Sequence, residues 1–203
     1  MKQLPKKNQV RVSGRLVSEF VLDHWYKGNS FYKAELLVER KSGCADVFYI
    51  MAPWWISIDW SGFQEVTVLG EIRTRRNYEN GRWKLFVYVY VHELLEVKDG
   101  NFKNKNSVFL KGIICKTPIY RTTFKGKRIA DITIAVNRPH GKSSYIPCIV
   151  WEKDADMVKD LPSGTVVSIE GRLQSRFFER LLDDKKVKRC VAYEVSASHL
   201  KIF

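Results

Sequence analysis

The side chains able to do chemistry in this chain are cations and rings. Thirty-five Lys and Arg stand against 22 Asp and Glu, a net charge of +13, and Phe, Trp and Tyr make up 13% of the 203 residues. Such an excess of positive charge implies a polyanionic partner or an anionic surface, with nucleic acid first. Rings beyond the needs of a core, combined with cations, suit single strands, whose bases offer π-faces and whose phosphates offer charge. The parts for catalysis are missing. Cys44, Cys115, Cys148 and Cys190 form no CxxC pair and no Cys/His cluster, so zinc is unsupported and reduced, buried thiols are expected. His24, His92, His140 and His199 are scattered, with no HExxH and no paired carboxylates beside them. Gly141-Lys142-Ser143 is similar to the end of a phosphate loop, but Val136 stands where that loop needs its first glycine. No enzymatic activity, cofactor or metal is expected.

These residues need elements to position them. A hydrophobic share of 45% with 28% charged residues supports a packed core and excludes a disordered chain. The longest apolar run, Leu85 to Val91, falls far short of the roughly 20 residues that cross a bilayer. The opening MKQLPKKNQV has no apolar h-region behind its lysines, so a cytoplasmic, reducing setting is expected.

Self-similarity decides the architecture. Asn8-Gln-Val-Arg-Val-Ser-Gly14 matches Asn106-Ser-Val-Phe-Leu-Lys-Gly112, and Tyr26-Lys27-Gly28 matches Phe124-Lys125-Gly126, both 98 residues apart. Arg40 and Gly43 fall on Arg138 and Gly141 at that offset, and Val66 to Arg75 falls on Val167 to Arg176 at an offset of 101. The chain is a duplication, with domains expected at 1–98 and 106–203 and a polar linker at 99–105. The second copy contains five β-rich runs: Val108 to Ile114, Arg128 to Asn137, Tyr145 to Val150, Val166 to Phe178 and Val187 to Ile202. Glu152 to Asp160, with Ala155, Met157 and Val158, predicts a short helix between the third and fourth strands. In the first copy Pro53 to Trp60 replaces it with a reduced, aromatic segment. The fold class is therefore all-β, two tandem five-stranded barrels with the layout of the OB-fold, whose open face binds oligonucleotides.

The second copy resembles the bacterial single-stranded DNA-binding protein family. The resemblance is carried by Asn106-x-Val-x-Leu-x-Gly112, Pro118-x-x-Arg121-x-Thr123-x-x-Gly126, Ala135-Val-Asn-Arg138, Tyr145-Ile-Pro-Cys-Ile-Val-Trp151 and Ile169-Glu-Gly-Arg-Leu-Gln-Ser-Arg176. The first copy is a diverged version without a Tyr-Ile-Pro-Cys segment. Carried over by motif, the resemblance implies base stacking at His140, Tyr145, Trp151 and Phe178, with His140 a weaker platform where the family more often has Trp. It implies phosphate contacts at Arg121, Lys125, Arg138, Arg172 and Arg176. Corresponding candidates in the first copy are Trp25, Tyr26, Arg40, Trp54, Trp55, Arg73, Arg75 and Tyr78. It also implies a homodimer presenting four OB domains. The chain stops at Leu200-Lys201-Ile202-Phe203, without the acidic tail that recruits partners elsewhere in the family, which argues against recruitment by such a tail.

Bland readings stay beside these. Trp54, Trp55 and Trp60 are stacking platforms or plugs, and at least one is expected to fill the barrel end where the helix is reduced. Arg73 and Arg75 share one strand face, which is also how a solvated face looks. Lys185-Lys186-x-Lys188-Arg189 reads most simply as an exposed hairpin tip. Residues 1–100 hold 15 basic and 12 acidic side chains and residues 101–203 hold 20 and 10, so the second copy is expected to grip harder. The expected function is sequence-independent single-stranded DNA binding in replication, recombination or repair. The alternatives are an accessory or primosome-type OB protein working through protein contacts, and RNA binding.

Overall fold

A computed structural model describes residues 7–56, 65–79, 81–97, 105–139, 141–181 and 187–203. Six strands form the first half: β1 (Asn8–Leu16), β2 (Val21–Tyr26), β3 (Asn29–Glu39), β4 (Ala45–Pro53), β5 (Glu65–Glu79) and β6 (Arg82–Glu96). The second half repeats them as β7 (Asn106–Ile114), β8 (Ile119–Thr122), β9 (Arg128–Asn137), β10 (Ser143–Trp151), β11 (Val166–Leu181) and β12 (Val187–Ile202), with helix α1 (Glu152–Val158) between β10 and β11.

Period-two alternation makes these strands, and the inward positions repeat between halves. Ala34, Leu36 and Val38 on β3 are buried, as are Ile132, Ile134 and Val136 on β9. Phe48, Ile50 and Ala52 on β4 are matched by Ile146, Cys148 and Val150 on β10. Each such large side chain contributes about 1.5 to 3 kcal/mol by leaving water. The order β1-β5-β6-β4-β3 closes into a barrel where β3 returns to β1, and β7-β11-β12-β10-β9 closes where β9 returns to β7. The short β2 and β8 add to β3 and β9 outside the five expected strands. They lack alternation: Ile119 and Tyr120 are both exposed, as are Val21 and Leu22.

Helix α1 turns only Ala155 and Val158 inward, leaving Met157 exposed, and so covers the end of the second barrel. In the first half Trp54 and Trp55 are exposed rather than plugging, and Trp60 lies outside the described residues. Most of the linker and the lysine-rich segment 185–186 also lie outside them.

Two features explain the repeated sequence blocks. Asn8 donates to the Ile72 carbonyl at 2.7 Å and accepts from the Ile72 amide at 2.9 Å, and Asn106 does the same with Leu173 at 2.8 and 2.9 Å. Gly70 and Gly171 follow β-bulges, where a Cβ would stand 2.1 Å from the Tyr90 carbonyl oxygen and 2.2 Å from that of Ser196.

The halves join edge to edge. β1 pairs antiparallel with β7 from Asn8↔Leu110 to Val12↔Asn106, with Val10 opposite Val108. Since Val10 and Val108 are counterparts in the repeat, the seam has local two-fold symmetry. It makes one twelve-stranded sheet.

Candidate nucleic-acid interface

On β3, β4 and β6 the face pointing away from the core carries rings. On β6 the inward residues Val87, Val89 and Val91 alternate with Phe86, Tyr88 and Tyr90, which join Tyr49 and Met51 of β4 and Phe31 of β3. Phe86 stacks on Tyr88 at 5.5 Å, Tyr49 lies 5.0 Å from Phe86, and His24 stacks flat on Phe31 at 4.9 Å. Arg73 sits 3.4 Å over the Tyr90 ring and Arg75 sits 4.8 Å over Phe86. Arg73 and Arg75 thus cap an aromatic face, and both are ion-paired. Arg73 bonds Glu71, and Arg75 makes a two-pronged contact with Asp23 at 2.7 and 3.1 Å. Burial acts to raise the Asp23 pKa, but the bonds from Arg75 and His24 prevail and hold it below the usual carboxylate value.

The five rings Phe31, Tyr49, Phe86, Tyr88 and Tyr90 escaped the sequence reading. For Phe86, Tyr88 and Tyr90 the signal was present as alternation inside the run Leu85 to Val91, where both faces are apolar and the period is hidden.

Long hairpins extend beyond both barrels. The β5–β6 hairpin carries Tyr78 and Trp83 near its tip, 63% and 67% exposed, with ring centroids 5.2 Å apart. The β11–β12 hairpin carries Phe177 and Phe178, with Arg189 4.1 Å over Phe177 and Arg176 5.8 Å from Phe178. Trp83, Phe177 and Arg189 likewise were not among the expected contacts.

A groove of about 930 Å³ runs between the β5–β6 hairpin and the face of β9 and β10. Trp83 and Tyr145 line it together with Arg75, Arg76 and Lys116. Its walls meet where the Tyr145 amide donates to the Thr74 hydroxyl at 2.9 Å. This is an interleaving of rings and cations that neither half could make alone.

The other expected residues divide by place. Trp25, Tyr26, Trp54 and Trp55 are exposed on the first half, and the Trp54 indole donates to Asn29 at 2.7 Å. The Lys142 ammonium reaches across from the second half to donate to the Tyr26 hydroxyl at 3.1 Å, which lowers that phenol's pKa. Arg121 pairs with Asp131 at 2.9 Å and Arg176 with Glu194 at 2.8 Å. Lys125 and Arg172 are exposed. Trp151 is half-buried, its indole donating to Ser196 at 3.0 Å. Arg40 is half-buried and held by an acid. It closes on Asp46, which is buried, and on the Ser175 carbonyl, and Asp46 in turn accepts from the Ser175 amide at 2.8 Å. Arg138 is half-buried at the opposite side of the seam, and His140 lies outside the described residues.

Two barrels closed as described, each with its ring-bearing outer face, define a tandem OB-fold protein. The wild-type single-stranded DNA binding protein of Thermus aquaticus shares that fold, with a TM-score of 0.74 over 96% of this chain and 92% of that one at 20% identity. The model of the Single-strand binding protein family matches residues 105–203, the stretch that holds β7 to β12. Single-stranded DNA-binding protein 1 of Staphylococcus aureus (strain COL) is 40% identical over 81 residues, 36% of this chain and 48% of that protein. The single-stranded DNA-binding protein of Halalkalibacterium halodurans is 32% identical over 103 residues, 47% of this chain and 59% of that protein. The chain spans about half the length of the curated relatives it matches.

Proposed function

We propose that this protein binds single-stranded DNA without sequence preference, by stacking bases on its exposed rings and following the backbone with Lys and Arg, and that no bond is made or broken. The observation that carries this is the groove joining the halves, which Trp83 and Tyr145 line among cations, in a chain whose residues 105–203 match the family above. Stacking and charge are the two features every nucleotide shares, so a site made of both is indifferent to sequence. The two domains lie at 1–98 and 106–203. The ring contacts are Trp25, Tyr26, Trp54, Trp55, Tyr78, Tyr145, Trp151 and Phe178, joined by Trp83. The phosphate contacts are Arg121, Lys125, Arg138, Arg172 and Arg176, with Arg73 and Arg75 presenting the aromatic face. Two chains form a homodimer with four OB domains, in the cytoplasm, serving replication, recombination or repair. The matches do not favour the accessory-protein alternative.

The test is a titration of Trp fluorescence with oligo-dT and with a duplex of equal length, at low and moderate salt. Quenching by the single strand that persists at moderate salt, where duplex binding is gone, supports the reading. Equal and wholly salt-sensitive binding to both overturns it.

A further inference from the structure

The duplication allows each residue at the seam to be compared with its counterpart. At one junction Arg40 closes on Asp46 and Ser175, as above, and Asp46 accepts the Ser175 hydroxyl at 2.6 Å. At the other, the counterparts at the same offsets are Arg138, Ser144 and Thr74. The hairpins that carry them match: the Arg40 amide donates to the Cys44 carbonyl at 2.7 Å, and the Arg138 amide to the Lys142 carbonyl at 2.7 Å. Ser144 therefore occupies the place of the Asp46 carboxylate. It is fully buried, and its hydroxyl has no hydrogen-bond partner.

Further exchanges run the same way. The cross-strand pair Gln174↔Glu194, hydrogen-bonded at 3.0 Å, is replaced by Arg73↔Tyr88, and Cys44 is replaced by Lys142. Each exchange moves the second junction toward positive charge. Arg172 to Glu71 and Arg121 to Asp23 run the other way, but Glu71 is buried, bonded by Arg73, and 3.8 Å from His92. Asp23 is likewise taken by Arg75, with Lys33 at 3.8 Å and His24 at 2.7 Å.

Among the described residues no carboxylate forms an ion pair with Arg138, and its Nε has no hydrogen-bond partner. Burial, together with the Arg73 charge, pulls its pKa down, against the Tyr88 hydroxyl and the Glu71 charge, which raise it. Beside it lies a cavity of about 430 Å³, lined by Arg138, Lys142 and Arg73 and by the rings of Tyr26, Phe31 and Tyr90. A partly desolvated guanidinium next to an ammonium, walled by rings and contiguous through Thr74 and Arg75 with the groove, is chemistry for a phosphate whose base lies alongside. We propose that this junction holds one phosphodiester of a bound single strand, with Arg138 and Lys142 as its ligands, while the junction closed by Asp46 holds none. The proposal rests on the strand-binding reading above.

Ser144→Asp places at this junction the acid that closes the other, and Arg138→Gln removes the cation. Affinity of the full chain for oligo-dT is measured across a series of NaCl concentrations, with near-UV circular dichroism confirming the fold. Each variant is expected to lower affinity several-fold at low salt. Each is also expected to flatten the slope of log K against log salt by about 0.7, the share of one phosphate. A wild-type slope in a folded variant overturns the proposal, and where one variant fails to fold the other decides. Should the wild-type chain not bind oligo-dT at all, the strand-binding reading falls, and inorganic pyrophosphate alone then tests the junction. A rise in melting temperature that Ser144→Asp abolishes keeps an anion site but assigns it to free phosphates. No rise overturns the site itself.

Discussion

At the scale of residues, the rings separate by what surrounds them. Tyr145 is 52% exposed and Trp83 67% exposed, so removing either leaves the core intact. Tyr145→Ala and Trp83→Ala are each expected to cost about 1 to 3 kcal/mol of oligo-dT affinity, with unchanged melting temperature, since that is the range for one stacked base. Equal affinity in both, measured by fluorescence anisotropy, would remove the groove from the binding path. Trp151 differs, because it is half-buried and its indole is bonded to Ser196. Trp151→Ala is expected to lose stability as well as affinity, and Trp151→Phe, which keeps a ring, to recover most of the binding. Tyr145 was legible because its motif is specific. Trp83 was not, because a lone Trp before an apolar run carries no spacing that tells a hairpin tip from a core. Arg40 shows the converse: its alignment with Arg138 was correct, but alignment does not report that Asp46 lies six residues on and takes it.

At the scale of elements, most of the strands could be read from alternation, and the repeated inward positions 34/132, 36/134 and 50/148 at an offset of 98, with 66/167 and 68/169 at 101, explain the two offsets. β2 and β8 were missed, since a short strand added outside a barrel has no buried face to create a period. The β11 bulge is a sharp local constraint, matched at Gly70 on β5. A Cβ at Gly171 would meet the backbone oxygen of Ser196 at 2.2 Å, and backbone cannot swing aside as a side chain can. Gly171→Ala is expected to lower stability by about 1 to 3 kcal/mol in urea unfolding, the range for overpacking. A change below a few tenths would show that the bulge relaxes freely. The same element frames the ligand surface, because a bulge bends its strand and this strand carries Phe177 and Phe178.

At the scale of the whole molecule, duplication was legible and docking was not. Two similar halves in one sequence do not reveal that Val10 faces Val108, because edge pairing uses backbone groups that every residue has. Buried acids lie at and near the seam, of which Asp46 is bonded across it. Burial opposes ionisation of Asp46 and Glu71, yet hydrogen bonds from Arg40 and Ser175 to the first, and the neighbouring His92 with the bond from Arg73 at the second, hold both pKa values below normal. Asp23, at the edge of the second junction, behaves alike. A carboxyl depressed in the folded state contributes stability that is fully present above its unfolded pKa, about 3.9 for Asp and 4.3 for Glu, and lost as pH falls through the folded value. The melting temperature is therefore expected to be level between pH 7 and 5 and to fall below about pH 4. Asp46→Asn tests whether the seam is the source. It leaves Arg40 half-enclosed without its acid, which costs about 3 kcal/mol for a buried pair, and removes one group from the acid titration. The variant is expected to melt lower at pH 7 and to lose less on acidification than the wild type, so that the two curves converge at low pH. Parallel curves, measured by calorimetry from pH 7 to 3, would place the acid sensitivity elsewhere in the molecule and leave the Asp46 contact as packing alone.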